Sequence, residues 1–136
     1  MWELKKDLID ACILFVRSLL EYCAVVWHSR LTFEQQNCLE RVQKCALRVI
    51  LGEDYLGYSN ALDACNLKTL FERREERCLS FAKRCLKHPV HQRLFPLNPY
   101  NPHYVRNSET FQVNFAKTET YKKSAIPYLQ RLLKSE

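Results

Sequence analysis

Two glycines in 136 residues are very few, and there is one methionine. A glycine-rich phosphate loop and a hairpin-rich sheet both need more residues that tolerate positive φ, so both are excluded as starting assumptions. No secretory signal opens the chain: Trp2-Glu3-Leu4-Lys5-Lys6-Asp7 is charged and has no cleavage pattern. No stretch reads as a membrane span. The most apolar one, Leu8 to Trp27, is interrupted by Asp10, Arg17 and Glu21, which are costly in lipid. Clustered carboxylates of the kind that hold magnesium for phosphate chemistry are also missing. Asp7 with Asp10, and Glu53 with Asp54, are isolated pairs and read as surface charge. There is no nucleophile-elbow pattern and no cysteine in a catalytic signature, so the sequence gives no support for an independent enzyme.

What is present is apolar, basic and rich in cysteine. Apolar residues make up 47% of the chain, enough for a real core in one modest domain. Seven cysteines, an odd number, with no signal segment argue for a reducing, intracellular setting in the cytoplasm or nucleus. Charge is uneven. Residues 1–66 carry seven Lys/Arg against nine Asp/Glu, residues 67–93 eight against three, and residues 94–136 six against three. The basic character therefore belongs to the second half. It suits a nucleic-acid backbone or an acidic membrane surface, and equally a solvated helix face.

The periodicity predicts an all-α protein: a small bundle of about four helices over residues 1–93, then a Pro-rich linker and tail over 94–136 that pack on it. Leu4, Leu8, Cys12, Phe15, Leu19 and Cys23 recur at helical spacing in a first helix. Its apolar stripe is broad enough to need covering on more than one side. Thr32 with Gln35 forms a capping box, and Gly52 stands at the C-terminal cap of a second helix. Cys38, Val42, Cys45, Ala46 and Val49 are its expected buried face. A short helix capped by Ser59 buries Ala61, Leu62 and Cys65. A fourth starts at Thr69 with Glu72 as its box partner, buries Phe71, Cys78, Ala82 and Cys85, and ends before Pro89. Beyond His91 lies an irregular segment with Pro96, Pro99 and Pro102. Alternation at Phe111, Val113 and Phe115 suggests a short strand, and a last helix follows Ser124 with Tyr128, Leu129, Leu132 and Leu133 apolar.

Two constellations could carry chemistry. Cys78, Cys85, His88 and His91 are zinc-ligand types, but a seven-residue cysteine separation fits no knuckle or finger. The same spacing recurs at Cys38 and Cys45, which reads as core packing, and no metal or other cofactor is expected. His28, His88, His91 and His103 read as surface or capping residues. The second constellation is basic. Arg41, Lys44 and Arg48 on one helix, and Arg73, Arg74, Arg77, Lys83, Arg84 and Lys87 on another, could follow a phosphate backbone without regard to sequence. Glu72, Glu75 and Glu76 lie among them and could pair with the arginines instead. In the tail, Tyr100, Tyr104, Phe111, Phe115 and Tyr121, beside Arg106, Lys117, Lys122 and Lys123, could stack on bases or pin the tail to the core.

Four phrases then occur in order. Arg17-Ser18-Leu19-Leu20-Glu21-Tyr22, closing on Val26-Trp27, resembles the "R-x-x-L-E-Y-x-x-x-V-W" segment just beyond the palm of non-LTR (LINE-type) retrotransposon reverse transcriptases. Leu39-Glu40-Arg41-Val42-Gln43, with Ala46, Arg48 and Ile50, resembles the sequel "L-E-x-V-Q-x-x-A-x-R-x-I". Leu67 to Arg74 is similar to "L-x-x-L-x-x-R-R". Arg106, Phe111, Ala116-Lys117-Thr118-Glu119, Tyr121, Ser124 and Ile126-Pro127-Tyr128-Leu129 are similar to the closing segment. Lys134 stands where the family usually has asparagine.

The resemblance implies thumb helices and a C-terminal extension that pack on the palm and help hold RNA template and primer. It implies no catalysis, because the palm's magnesium-binding aspartates belong to a "Y/F-A-D-D" strand that this sequence lacks. The expected partners are RNA or an RNA–DNA hybrid, and either the palm or a second copy against the apolar first helix, with no membrane. A degenerate or reused transposon remnant acting as a helical protein-interaction module is the alternative.

Overall fold

A computed structural model describes residues 2–96 and 113–135. Among them every regular element is helical. The chain runs through α1 (Trp2–Ala11), a π-helical stretch (Cys12–Arg17), α2 (Ser18–Leu20), α3 (Ala24–Trp27), α4 (Phe33–Leu51), α5 (Tyr58–Ala64) and α6 (Leu70–Lys87), then α7 (Glu119–Lys122) and α8 (Ala125–Lys134). Short 3₁₀ turns occupy His28–Arg30, Gly52–Asp54 and Gln92–Leu94. No helix among the described residues is long and apolar enough to cross a membrane.

Helix ends follow local chemistry. The Thr32 hydroxyl accepts from the Gln35 amide, and the Gln35 side chain accepts from the Thr32 amide at 3.0 Å, completing a capping box. Thr69 and Glu72 repeat it, with both bonds at 3.2 Å. Gly52 ends α4 at φ +57°, a conformation that suits glycine. α5 ends in a Schellman motif: Asn66 takes φ +51°, and the Leu67 amide donates to the Leu62 carbonyl at 2.8 Å. The start of α5 differs from expectation. Gly57, not Ser59, holds the cap position, which places Tyr58 in the first turn, where its phenol reaches α4.

The chain forms two compact units. The first comprises residues 1–24 and 31–75, and the second residues 25–30 and 76–136. The division expected near residue 93 instead falls inside α6, because the second half of that helix supplies the core on which the tail packs.

In the first unit, α4 contacts α1, the π-helical stretch and α5. Leu47 and Leu51 pack with Ala61 and Leu62, flanked by Tyr55, Tyr58, Cys65 and Leu67. The buried face of α4 is therefore Gln43, Leu47 and Leu51. The face expected from Cys38, Val42, Cys45 and Val49 is exposed instead. Period alone could not choose, since both sets recur at helical spacing and the winner is the one that α5 covers.

In the second unit, Cys78, Ala82 and Cys85 pack with Phe95 and Leu129, joined by Val25, Leu86, Tyr128, Leu132 and Leu133. Gln130 ties the tail down: it donates to the Leu94 carbonyl at 2.6 Å and accepts from the Asn114 amide at 2.9 Å. That second bond occupies backbone that a strand would need. Val113 and Phe115 accordingly lie in irregular structure rather than the expected strand, and Phe111 lies outside the described residues. Phe71, expected in the buried stripe, is 39% exposed.

Candidate nucleic-acid interface

The first unit holds a buried polar network that no composition count would reveal. Arg17, Glu21 and Gln43 have almost no exposed surface. The π-helical stretch explains how Arg17 enters the core. Buried positions run Ile9, Cys12, Arg17, Glu21 and Ala24, and the step of five from Cys12 to Arg17 fits the wider π turn rather than an α-helix. Arg17 Nη2 donates to the Lys68 carbonyl at 3.0 Å, and its Nε stands 3.8 Å from Glu21 Oε1. Arg73 Nε donates to Glu21 Oε2 at 2.9 Å and stands 2.7 Å from Oε1. Burial, and then the Arg73 charge, push the Arg17 guanidinium's pKa down, while Glu21 pushes it up.

Beside it, Gln43 Nε2 donates to the Tyr58 hydroxyl at 2.8 Å and to the same Lys68 carbonyl at 3.3 Å. The Tyr58 hydroxyl donates to Glu40, which also accepts from the Leu70 amide at 3.2 Å. Burial, reinforced by the hydrogen bond to Glu40 and that carboxylate's charge, holds the Tyr58 phenol well above its ordinary pKa.

This network sorts the nine basic candidates. Arg74 is fully buried and presents no guanidinium to a passing phosphate, whereas Arg73 is half-buried with its Nε held by Glu21. That removes Arg74 from the expected binding face, because its side chain is enclosed in the first unit. Arg41, Lys44 and Arg48 are exposed on α4, along the flank between its buried Gln43–Leu47–Leu51 face and the exposed Cys38–Val42–Cys45–Val49 side. Lys44 Nζ sits 4.9 Å from the centre of the Tyr58 ring, a cation–π contact.

In the second unit Arg77, Lys83, Arg84 and Lys87 are exposed along α6. Lys83, Arg84 and Lys87, with Glu76, Leu79 and Ser80, line an open depression of about 330 Å³. The Arg84 guanidinium lies 6.0 Å from the centre of the Phe81 ring. Each unit thus offers its own row of exposed cations, a geometry that meets a charged backbone without reading sequence.

The other candidates are placed as follows. Cys78 and Cys85 are in the apolar core, whereas His88 and His91 are exposed with ring centres 4.9 Å apart. No group of three or more His, Cys, Asp or Glu is placed to hold a metal among the described residues. Cys12 is buried too, but Cys23, Cys38 and Cys45 are exposed, which corrects their reading as core residues. His28, read as a surface residue, is buried in the second unit with its ring edge-on to Tyr128 at 5.8 Å. Lys5 pairs with Asp54. Of the tail candidates, Phe115, Tyr121, Lys117, Lys122 and Lys123 are exposed, while Tyr100, Tyr104, Phe111 and Arg106 lie outside the described residues.

Sequence reasoning missed Arg17, Glu21, Glu40, Gln43 and Tyr58 as a group. A signal existed: Arg17 and Glu21 stand one helical turn apart inside the most apolar stretch of the chain, where charges that are not paired are costly. Comparison of the chain with protein-family models, with curated proteins and with solved structures finds no match.

Proposed function

We propose that this chain is a non-catalytic, C-terminal thumb-like piece of a reverse transcriptase-like retrotransposon protein, acting inside the cell, and that it binds RNA or an RNA–DNA hybrid through exposed cations. The observation that carries the reading is the order of the four phrases. The polar residues of three of them (Arg17 and Glu21, Glu40 and Gln43, Arg73) meet in one buried network of the first unit, as parts of a single fold would. Their role is to build the support, and the ligand-facing work falls to residues that point outward. Those are Arg41, Lys44 and Arg48 on α4, and Arg77, Lys83, Arg84 and Lys87 on α6. Neither row depends on a cofactor.

The alternative, a helical protein-interaction module, draws on one specific observation. Leu4, Phe15, Leu19 and Tyr22 are each more than 60% exposed along the first helical segment. In the parent protein that face would meet the palm.

A salt series of binding to a labelled RNA–DNA hybrid tests the proposal. Micromolar-range affinity that falls steeply with salt is expected, and Lys83→Glu/Arg84→Glu/Lys87→Glu lowers the log–log salt slope by roughly one for each phosphate no longer neutralised. No binding at low salt would remove the nucleic-acid reading and leave the interaction module.

A further inference from the structure

The exposed faces of α1 and α4 are complementary to each other, and neither is complementary to itself. On α1, Leu4 and Leu8 are exposed at a spacing of four, and half-buried Ala11 continues their row. Glu3, Asp7 and Asp10, also exposed, run beside them at spacings of four and three. Each acid immediately precedes a residue of the apolar row, so the acidic row lies about 100° to one side of it. On α4, Cys38, Val42, Cys45 and Val49 are exposed at spacings of four, three and four, the pattern of a helix-pairing seam. Arg41, Lys44 and Arg48 are exposed, and each again immediately precedes a residue of that seam. The basic row therefore borders its seam on the same side as the acidic row borders its own.

When two helices pair antiparallel, rows on the same side of each seam face one another. Pairing α1 with α1 sets acid against acid, and pairing α4 with α4 sets base against base. Pairing α1 with α4 sets Asp10, Asp7 and Glu3 against Arg41, Lys44 and Arg48 in turn, over matching lengths of two helical turns.

We propose that the α4 seam docks the α1 face of a second copy of this chain, antiparallel, in a head-to-tail contact. The contact goes beyond the nucleic-acid reading, and it competes with it for Arg41, Lys44 and Arg48. A head-to-tail contact uses two different patches, so the dimer keeps one free α1 face on one copy and one free α4 seam on the other, and association continues past the dimer. One helix pair buries less than the ~800 Å² per partner of a standard stable interface, so assembly is concentration-dependent. Its ionic border weakens as the screening length shrinks between about 50 mM and 500 mM salt.

Sedimentation of the full chain, without nucleic acid, tests this. The wild type should show a mass average that rises with concentration with no plateau at the dimer, and that falls at high salt. Leu4→Gln/Leu8→Gln breaks one patch and Val42→Gln/Val49→Gln the other; all four positions are exposed, and circular dichroism confirms that each variant is folded. Each variant alone should be monomeric. Their equimolar mixture retains one intact α1 face and one intact α4 seam, and should give a one-to-one heterodimer and nothing larger. A wild type that is monomeric throughout, or that stops at a dimer, would overturn the proposal. So would a mixture that stays monomeric, or single variants that assemble as the wild type does. Because no nucleic acid is present, failure here leaves the hybrid-binding reading standing.

Discussion

Arg73 and Glu21, 52 residues apart, meet in the first unit: the guanidinium Nε donates to a carboxylate whose side chain has no exposed surface. The same carboxylate sits one helical turn from buried Arg17. Glu21 is thus the shared counter-charge of two arginines, and its removal leaves a buried cation behind. Breaking such a pair costs about 3–5 kcal/mol, whereas an exposed pair contributes less than about 1 kcal/mol. Glu21→Gln should lower the urea midpoint severely, and Asp54→Asn, at the exposed pair with Lys5, should leave it nearly unchanged.

Tyr58 links α5 to α4 through Glu40 and Gln43. Tyr58→Phe leaves both polar groups short of a partner, at a cost of about 1–3 kcal/mol in thermal or urea unfolding. The phenol's pKa is raised in the folded state by burial first, then by Glu40. For an acid raised in this way, the stabilisation is complete below the unfolded value of about 10 and is lost as pH climbs above it. Ultraviolet titration should therefore show Tyr58 ionising only with alkaline unfolding, and Tyr58→Phe should remove that late step.

Thiol reactivity should divide the seven cysteines by burial. Cys23, Cys38 and Cys45 are exposed, Cys65 is half-buried, and Cys12, Cys78 and Cys85 are buried. Burial also pushes the Cys12 and Cys85 thiols above their ordinary pKa, which lowers the reactive thiolate fraction further. Timed alkylation read by peptide mass spectrometry should label three positions rapidly in native protein. Rapid labelling of Cys78 or Cys85 would contradict their place in the second unit's core.

Capping residues should show small, separable effects. Thr32→Ala and Thr69→Ala each remove one hydroxyl acceptor at a helix start, with an expected loss of about 1 kcal/mol. Gly52→Ala has open space for its Cβ, so any loss there comes from the φ of +57° and not from a clash. A non-glycine residue held in so sparsely populated a backbone region costs on the order of 1–3 kcal/mol, measured as a shift in the unfolding midpoint.

The sequence by itself determined α4, α5, α6 and α8 and most of their ends, whereas the first helix expected from the apolar spacing is interrupted by the π-helical stretch and by a turn at residues 21–23. Apolar spacing, two Thr-led capping boxes, Gly52 and Pro89 are local signals, and the free energies they control depend on neighbours within a turn. It also determined the second unit's core at Cys78, Ala82 and Cys85, and the apolar side of α8, because one stripe dominated each helix. Only the tertiary structure decided which face of α4 is inside. Two stripes of similar period compete there, and packing against α5 favours Gln43, Leu47 and Leu51 over the cysteines and valines. It likewise decided that Arg74 is enclosed and that Arg73 turns its Nε to Glu21, while Arg77, Lys83, Arg84 and Lys87 face outward. The charge of an arginine is written in the chain, but whether that charge meets solvent or a carboxylate 52 residues away depends on packing that no local pattern encodes.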